Sequence, residues 1–146
     1  MTRDFEWYGG PVLDNVEKAK KVALTMAAVV VQGEAINRVP VDSGALKGSI
    51  TYTVDGGPTM GLNTPGGKKP KSAPRSAKSD EGIKGGRKDE AIIGTNMEYA
   101  AHQEYGTSKP MAAQPYLRPA LDRHRAKLIK DIGDFIGAAA EAGGKK

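Results

Sequence analysis

His102 is the residue of this chain most suited to chemistry. It lies between Glu98 and Glu104, and with a hydroxyl such as Ser43, Ser49 or Ser108 it would supply the base and orienting acid of a hydrolytic triad. No Gly-x-Ser-x-Gly elbow or other nucleophile motif frames these serines, so the plainer reading of His102 is a surface or interface histidine. His124 stands between Arg123 and Arg125, a locally positive setting that disfavours a bound cation. Neither a His-Glu-x-x-His helix nor an Asp-rich calcium loop occurs. With zero cysteines, disulfides, zinc–thiolate sites and cysteine nucleophiles are excluded, which fits synthesis in a reducing cytoplasm. Neither an enzyme nor a cofactor is expected.

Two glycine–lysine runs, Gly66-Gly67-Lys68-Lys69 and Gly85-Gly86-Arg87-Lys88, superficially resemble phosphate loops. A P-loop needs two glycines at a fixed interval before the lysine and a helix after it, and neither run has that frame. The net charge of +5 invites a nucleic-acid reading. Its location weakens that reading: residues 55–90 carry eight Lys/Arg against five Asp/Glu, or +3 of the +5. Lys68, Lys69, Lys71, Arg75 and Lys78 form a run without an intervening acid, suited to non-specific phosphate contact. No aromatic residues interleave to stack on bases, and a solvated or protein-bound loop is the simpler account.

The elements that would position these residues follow from periodicity. Pro11 to Arg38 reads as one long helix with Val12, Val16, Ala19, Ala23, Ala27 and Val30 at helical spacing. Its stretch Val22 to Val31 is apolar around the whole circumference, so cover on all sides is expected, part of it from a neighbouring subunit. A buried strand is the alternative for this β-branched run. The stretch is about half of what a bilayer span requires, and the opening Met1-Thr2-Arg3-Asp4-Phe5-Glu6 lacks a basic segment followed by an apolar run. The expectation is a soluble protein without membrane contact.

Pro40 ends the helix, and Asp42 and Ser43 offer side-chain oxygens to cap a short turn through Ala45 and Leu46. Ile50-Thr51-Tyr52-Thr53-Val54 alternates as a half-buried strand does. In residues 55–90, twelve of 36 positions are Gly or Pro and large apolar residues are scarce, which predicts a long loop held by a partner or disordered. Ala91 to Thr95 resumes as a second strand, antiparallel to the first. Asn96 to Thr107 reads as a capped helical segment closed by Gly106 in a left-handed conformation. Gln114-Pro115-Tyr116-Leu117 is too short to classify and is compatible with an extended piece. Pro119 opens a last helix with Leu117, Leu121, Leu128, Ile132, Phe135, Ile136 and Ala139 on one stripe, ending by Gly143-Gly144. The predicted fold is a single α+β domain over residues 1–146: long N-terminal and C-terminal helices on a small antiparallel sheet, with 55–90 as a loop insertion and room for a third strand.

Three blocks carry a likeness. They are Val39-Pro40-Val41-Asp42-Ser43-Gly44-Ala45-Leu46-Lys47-Gly48-Ser49-Ile50, then Gly94 to Ala100 continuing through Glu104-Tyr105-Gly106-Thr107, then Gln114-Pro115-Tyr116-Leu117-Arg118-Pro119-Ala120-Leu121. In this order and spacing the chain resembles the tail-completion, or head–tail joining, family of long-tailed bacteriophages, also labelled morphogenesis or minor tail proteins. Ser43 stands where the family usually carries Thr, which keeps the capping hydroxyl, and the insertion is longer and more basic than the family pattern. The resemblance implies a structural virion protein of the neck or tail end, assembled in the host cytoplasm as a six-fold homo-oligomeric ring around the DNA passage. Its neighbours would be the head connector or stopper and the tail terminator or tail tube, with non-specific contact to packaged DNA. The motif residues Asp42, Ser43, Gly44, Leu46, Tyr99, Glu104, Tyr105, Gly106, Pro115, Leu117, Arg118 and Pro119 then serve as scaffold, and the basic loop reaches an adjacent subunit. A tail terminator and, from another class, a small basic nucleic-acid-binding protein stay open; a cell-wall or nucleic-acid enzyme lacks its residues.

Overall fold

Alanine and straight-chain residues dominate the segment after Pro11, and they form one unbroken helix, α1 (Gly9–Arg38). The computed structural model describes residues 9–40, 44–60, 83, 85–109 and 111–144. After α1 come α2 (Ala45–Ser49), β1 (Thr51–Val54), β2 (Ala91–Gly94), α3 (Ala100–Tyr105) and α4 (Leu117–Gly144). The order and class are those the sequence predicts. α1 starts two residues before Pro11, which still lies in the first turn, where an amide proton has no helical partner. The Val39 N–H closes the last turn on the Ala35 carbonyl at 3.0 Å, and Pro40 stops the helix. Val22 to Val31 is helical throughout, so the strand alternative is rejected.

The buried face of α1 differs from the predicted stripe. Ala19 and Ala23 are buried as expected, but below them the face passes to Ala28, Val31, Gln32 and Ala35, while Val30 is 43% exposed. α1 packs against α4, β1 and β2, and so different sides of it are covered along its length. The described residues leave part of it open: Met26, Val29 and Val22 are 58%, 48% and 45% exposed.

α4 runs antiparallel to α1. Glu34, near the end of α1, meets Arg123 near the start of α4, and Gly143 at the far end lies on Val12. A Cβ on Gly143 would stand 2.9 Å from the Val12 Cα, so glycine is what permits the helices to close there. α4 begins at Leu117, two residues before Pro119 and without a preceding third strand. Of its predicted stripe, Leu117, Leu128, Ile132, Ile136 and Ala139 are half-buried, whereas Leu121 and Phe135 are exposed. Its one fully buried residue is Ala120.

β1 and β2 pair antiparallel with Thr51 opposite Gly94 and Val54 opposite Ala91. Tyr52, Val54, Ala91 and Ile93 face Leu24 and Ala28 of α1. The prediction of a half-buried β1 is corrected: Thr51 and Thr53, on the other face, are buried too. The ends of the insertion fold back over that face. The Ile83 N–H donates to Thr51 Oγ1 at 3.3 Å, Thr53 Oγ1 donates to the Gly57 carbonyl at 2.9 Å, and Thr59 Oγ1 donates to the Ile83 carbonyl at 2.6 Å. The possible third strand from Gln114 to Leu117 does not join the sheet, which has two strands among the described residues, and a separate bridge links Tyr52 to Met60.

The base of the insertion is closed by its own polar groups. The Asp55 N–H donates to the Glu90 carbonyl at 2.9 Å and the Asp89 N–H donates to Asp55 Oδ1 at 2.8 Å. Lys20 of α1 meets Asp89 at 2.8 Å and Lys88 meets Glu17 at 3.2 Å. Asp89 first, and then Glu17, raise the Lys20 ammonium to about 12.

A candidate assembly site beside the capped end of the last helix

The first amides of α4 need acceptors, because a helix leaves four N–H groups at its start without internal partners. Glu104, the next-to-last residue of α3, supplies them. Its buried carboxylate accepts from the N–H of Tyr116 at 2.8 Å, of Leu117 at 3.0 Å and of Arg118 at 3.0 Å. The fourth position is Pro119, which has no N–H to satisfy. One carboxylate and one proline thus complete the helix start, with the negative charge at the positive end of the dipole. Neighbouring bonds zip the two segments together: the Gln114 N–H donates to the Gln103 carbonyl and Gln103 Nε2 to Gln114 Oε1, both at 2.8 Å.

Gly106 sets the geometry of this joint. Its φ of 76° is positive as the sequence predicts, but ψ is −178°, an extended region essentially restricted to glycine rather than the left-handed helical one. The reason is the close return of residues 111–113: a Cβ on Gly106 would stand 2.9 Å from both the Met111 oxygen and the Ala113 nitrogen. Gly106→Ala is therefore expected to lower stability by about 1–3 kcal/mol from the backbone strain alone, measured by urea unfolding.

Tyr116, the residue before α4, is the largest fully buried side chain of the core, packed with Ala35, Val39, Leu46, Ile50 and Met97. Burial, and then the charge of Glu104 and the proximity of Tyr99, push its phenol up to about 12. The folded value is raised, so the stabilisation from protonated Tyr116 is complete below the usual 10.0 and is lost as pH rises through about 12. Alkaline unfolding followed by circular dichroism should be steeper between these values in the wild type than in Tyr116→Phe.

The other predicted residues take these places. Gly44 caps α2 in the left-handed conformation, φ 72°, with no side-chain cap bond, and Leu46 is in the core. Asp42 and Ser43, assigned to that cap, lie outside the described residues, as do Lys68, Lys69, Lys71, Arg75 and Lys78. Tyr99 is half-buried at the start of α3, Tyr105 and Pro115 are exposed, and Arg118 points outward toward Asp122. The structure thus joins Glu104, Gly106, Leu117, Arg118 and Pro119 in one joint and leaves Tyr105 on its surface.

Of the residues considered for a triad, His102 is exposed, the Glu104 carboxylate is turned to the start of α4, and Ser43 lies outside the described residues. To the locally positive setting of His124 the structure adds a carboxylate: Glu34, itself bonded to Arg38 and Arg123, lies 3.6 Å from its Nε2. Arg38, hydrogen-bonded at 2.9 Å, and then Arg123 and His124 hold the Glu34 carboxyl below its usual value. Among the described residues no group of three or more His, Cys, Asp or Glu is placed to hold a metal ion, and no helix is long and apolar enough to cross a membrane.

Sequence reasoning missed two polar ties. Gln32 Nε2 donates to the Ile50 carbonyl at 2.7 Å from within the apolar face of α1, where its polarity was the available signal. Ser49 Oγ and Thr95 Oγ1 share a hydrogen bond at 2.6 Å across 46 positions, which no local pattern announces.

Two apolar hollows remain. A groove of about 800 Å³ runs along β2, walled by Val31, Ile83, Met97, Ala101, Tyr105 and Leu121. A smaller one of about 230 Å³ lies between α1 and α4, against Met26, Val30, Leu128 and Phe135. The joint thus presents polar groups bonded within the chain beside apolar hollows. A family profile described as "Bacteriophage HK97-gp10, putative tail-component" matches residues 1–106. The chain belongs to this HK97-gp10-like family and is a structural component of a bacteriophage tail. The match includes Glu104 and Gly106, and the Gln114–Leu121 block lies beyond it. Searches of curated proteins and of solved structures return no match.

Proposed function

We propose that this tail component is a ring subunit of the neck, completing the tail so that the head connector and the tail tube join around the DNA passage. The observation that carries this reading is the open side of α1, where Val22, Met26, Val29 and Val30 stay exposed along the stretch Val22–Val31 that is apolar all round. A patch of this kind on a soluble chain is a contact surface, and apolar area removed from water contributes about 25 cal/mol per Å². Identical copies supply the cover most simply, because a closed ring repeats one contact until no open face is left. The fold supports this use: the capped joint holds α4 rigidly against α1, so both walls of the apolar seam keep a fixed spacing.

Lysates of phage lacking this chain, viewed by negative stain, test the assignment. Filled heads and separate tails are expected. Normally joined virions would end the neck reading, and heads joined to tails of irregular length would point instead to a terminator.

A further inference from the structure

The outer edge of β2 has no strand beside it among the described residues, since the sheet consists of β1 and β2. The register determines which groups face that edge. The Asp55 N–H donates to Glu90, so the hydrogen-bonded pairs along the ladder are Asp55–Glu90, Thr53–Ile92 and Thr51–Gly94. The N–H and C=O groups of Ala91 and Ile93 therefore point away from β1, into the groove of about 800 Å³. An open edge along an apolar groove suits an added strand with large apolar side chains at alternate positions.

One segment outside the described residues has that pattern. Arg3-Asp4-Phe5-Glu6-Trp7-Tyr8 sets Phe5 and Trp7 two apart and holds the single Trp of the chain. The insertion does not: residues 61–82 contain Pro65, Pro70 and Pro74, which cannot donate to a ladder, and Leu62 as their one large apolar side chain. Charge also favours the first segment. It carries Asp4 and Glu6 against Arg3, and the groove is bordered by Arg118, whose side chain is 82% exposed and reaches Asp122 only at 3.9 Å.

This segment cannot fill the groove of its own chain. At 1.5 Å per residue, Gly9 stands about 22 Å along the α1 axis from Leu24, which packs in the same cluster as Ala91 and Ile93. Phe5, four residues before Gly9, reaches at most about 14 Å. We propose that the β2 groove receives residues 3–8 of a second copy of this chain as an added strand, with Phe5 and Trp7 seated in it. The proposal rests on the reading of the chain as a self-assembling subunit and names one of its contacts.

A fluorescently labelled peptide of residues 1–8, titrated up to about 1 mM into the full chain carrying Phe5→Ser and Trp7→Ser, tests it by anisotropy. Saturable binding is expected, weakened about tenfold or more by Trp7→Ala in the peptide or by Leu121→Lys in the chain. Absence of saturable binding, or binding indifferent to both changes, would overturn the proposal. Light scattering on wild-type chain separates this outcome from the ring. A ring-sized mass without peptide binding sinks the added strand alone, Leu121-dependent peptide binding by a wild-type chain that forms only dimers or open strings of copies supports the strand and counts against the ring, and a wild-type chain that stays monomeric throughout overturns both.

Discussion

Glu104→Ala should cost about 3–5 kcal/mol, the largest loss expected from any single side chain outside the apolar core. Three amides, the buried one of Tyr116 and the part-buried ones of Leu117 and Arg118, lose their acceptor together. A domain of this size has a stability of about 5–15 kcal/mol, so the variant is expected to melt about 10 °C lower and to fray first at the start of α4. Glu104→Gln should fall between, because one oxygen acceptor is retained while the charge and the second acceptor are lost. Hydrogen exchange separates this from a general loss of packing. The amides of residues 116–118 should gain exchange in both variants, and unchanged protection there would show that the carboxylate does not hold the helix start.

Met26→Lys combined with Val30→Lys should change the stability of an isolated chain by about 1 kcal/mol or less, because both side chains already lie open to water. Its effect on assembly should be far larger. Burying two side chains of this kind contributes about 1.5–3 kcal/mol each, so their loss weakens association by about a hundredfold or more. The charges compound the effect, since each ammonium would have to be desolvated beside Phe135 and Leu128 in the seam between the helices. A chain that keeps its circular dichroism and thermal transition while losing its assembled mass is the expected result. Equal assembly by variant and wild type would show that this side of α1 is free in the virion.

Much of this was legible in the residues themselves. Helical spacing gave both long helices, because a run of that length leaves little room for another period, and β-branched alternation gave both strands. Gly106 was identified as a special backbone position from its place after Tyr105, although the region of φ and ψ it occupies depends on the return of Met111 and Ala113, which no local pattern encodes. Glu104 and Pro119 belong to separate motifs of the sequence. That one accounts for three of the helix-start amides and the other for the fourth is visible only once α3 and α4 meet. β1 was misread as half-buried because its second cover comes from Ile83 and Gly57, at the two ends of the insertion. His124 likewise has, besides the arginines on either side, a neighbour in Glu34, far away in the chain.

The stripe on α1 shows why amphipathic reasoning has a limit here. A helix that is apolar all round offers no polar face to orient it, so the buried side is chosen by what packs against it: α4 over Ala19 and Ala23, then the sheet and the start of α4 over Ala28, Val31 and Ala35. The alanines at 19, 23, 28 and 35 let the neighbouring elements approach closely, Val31 is buried with them, and Val22, Met26, Val29 and Val30 are left outward. On the proposed reading, this outward side is the surface that copies of the chain would cover.

The mass of the purified wild-type chain, followed by multi-angle light scattering over a wide concentration range, tests that claim most directly. A mass of several chains, lost in the Met26→Lys and Val30→Lys variant, is the predicted result. A compact single chain at the highest concentrations, with Val22 to Val31 on its open face, would contradict it.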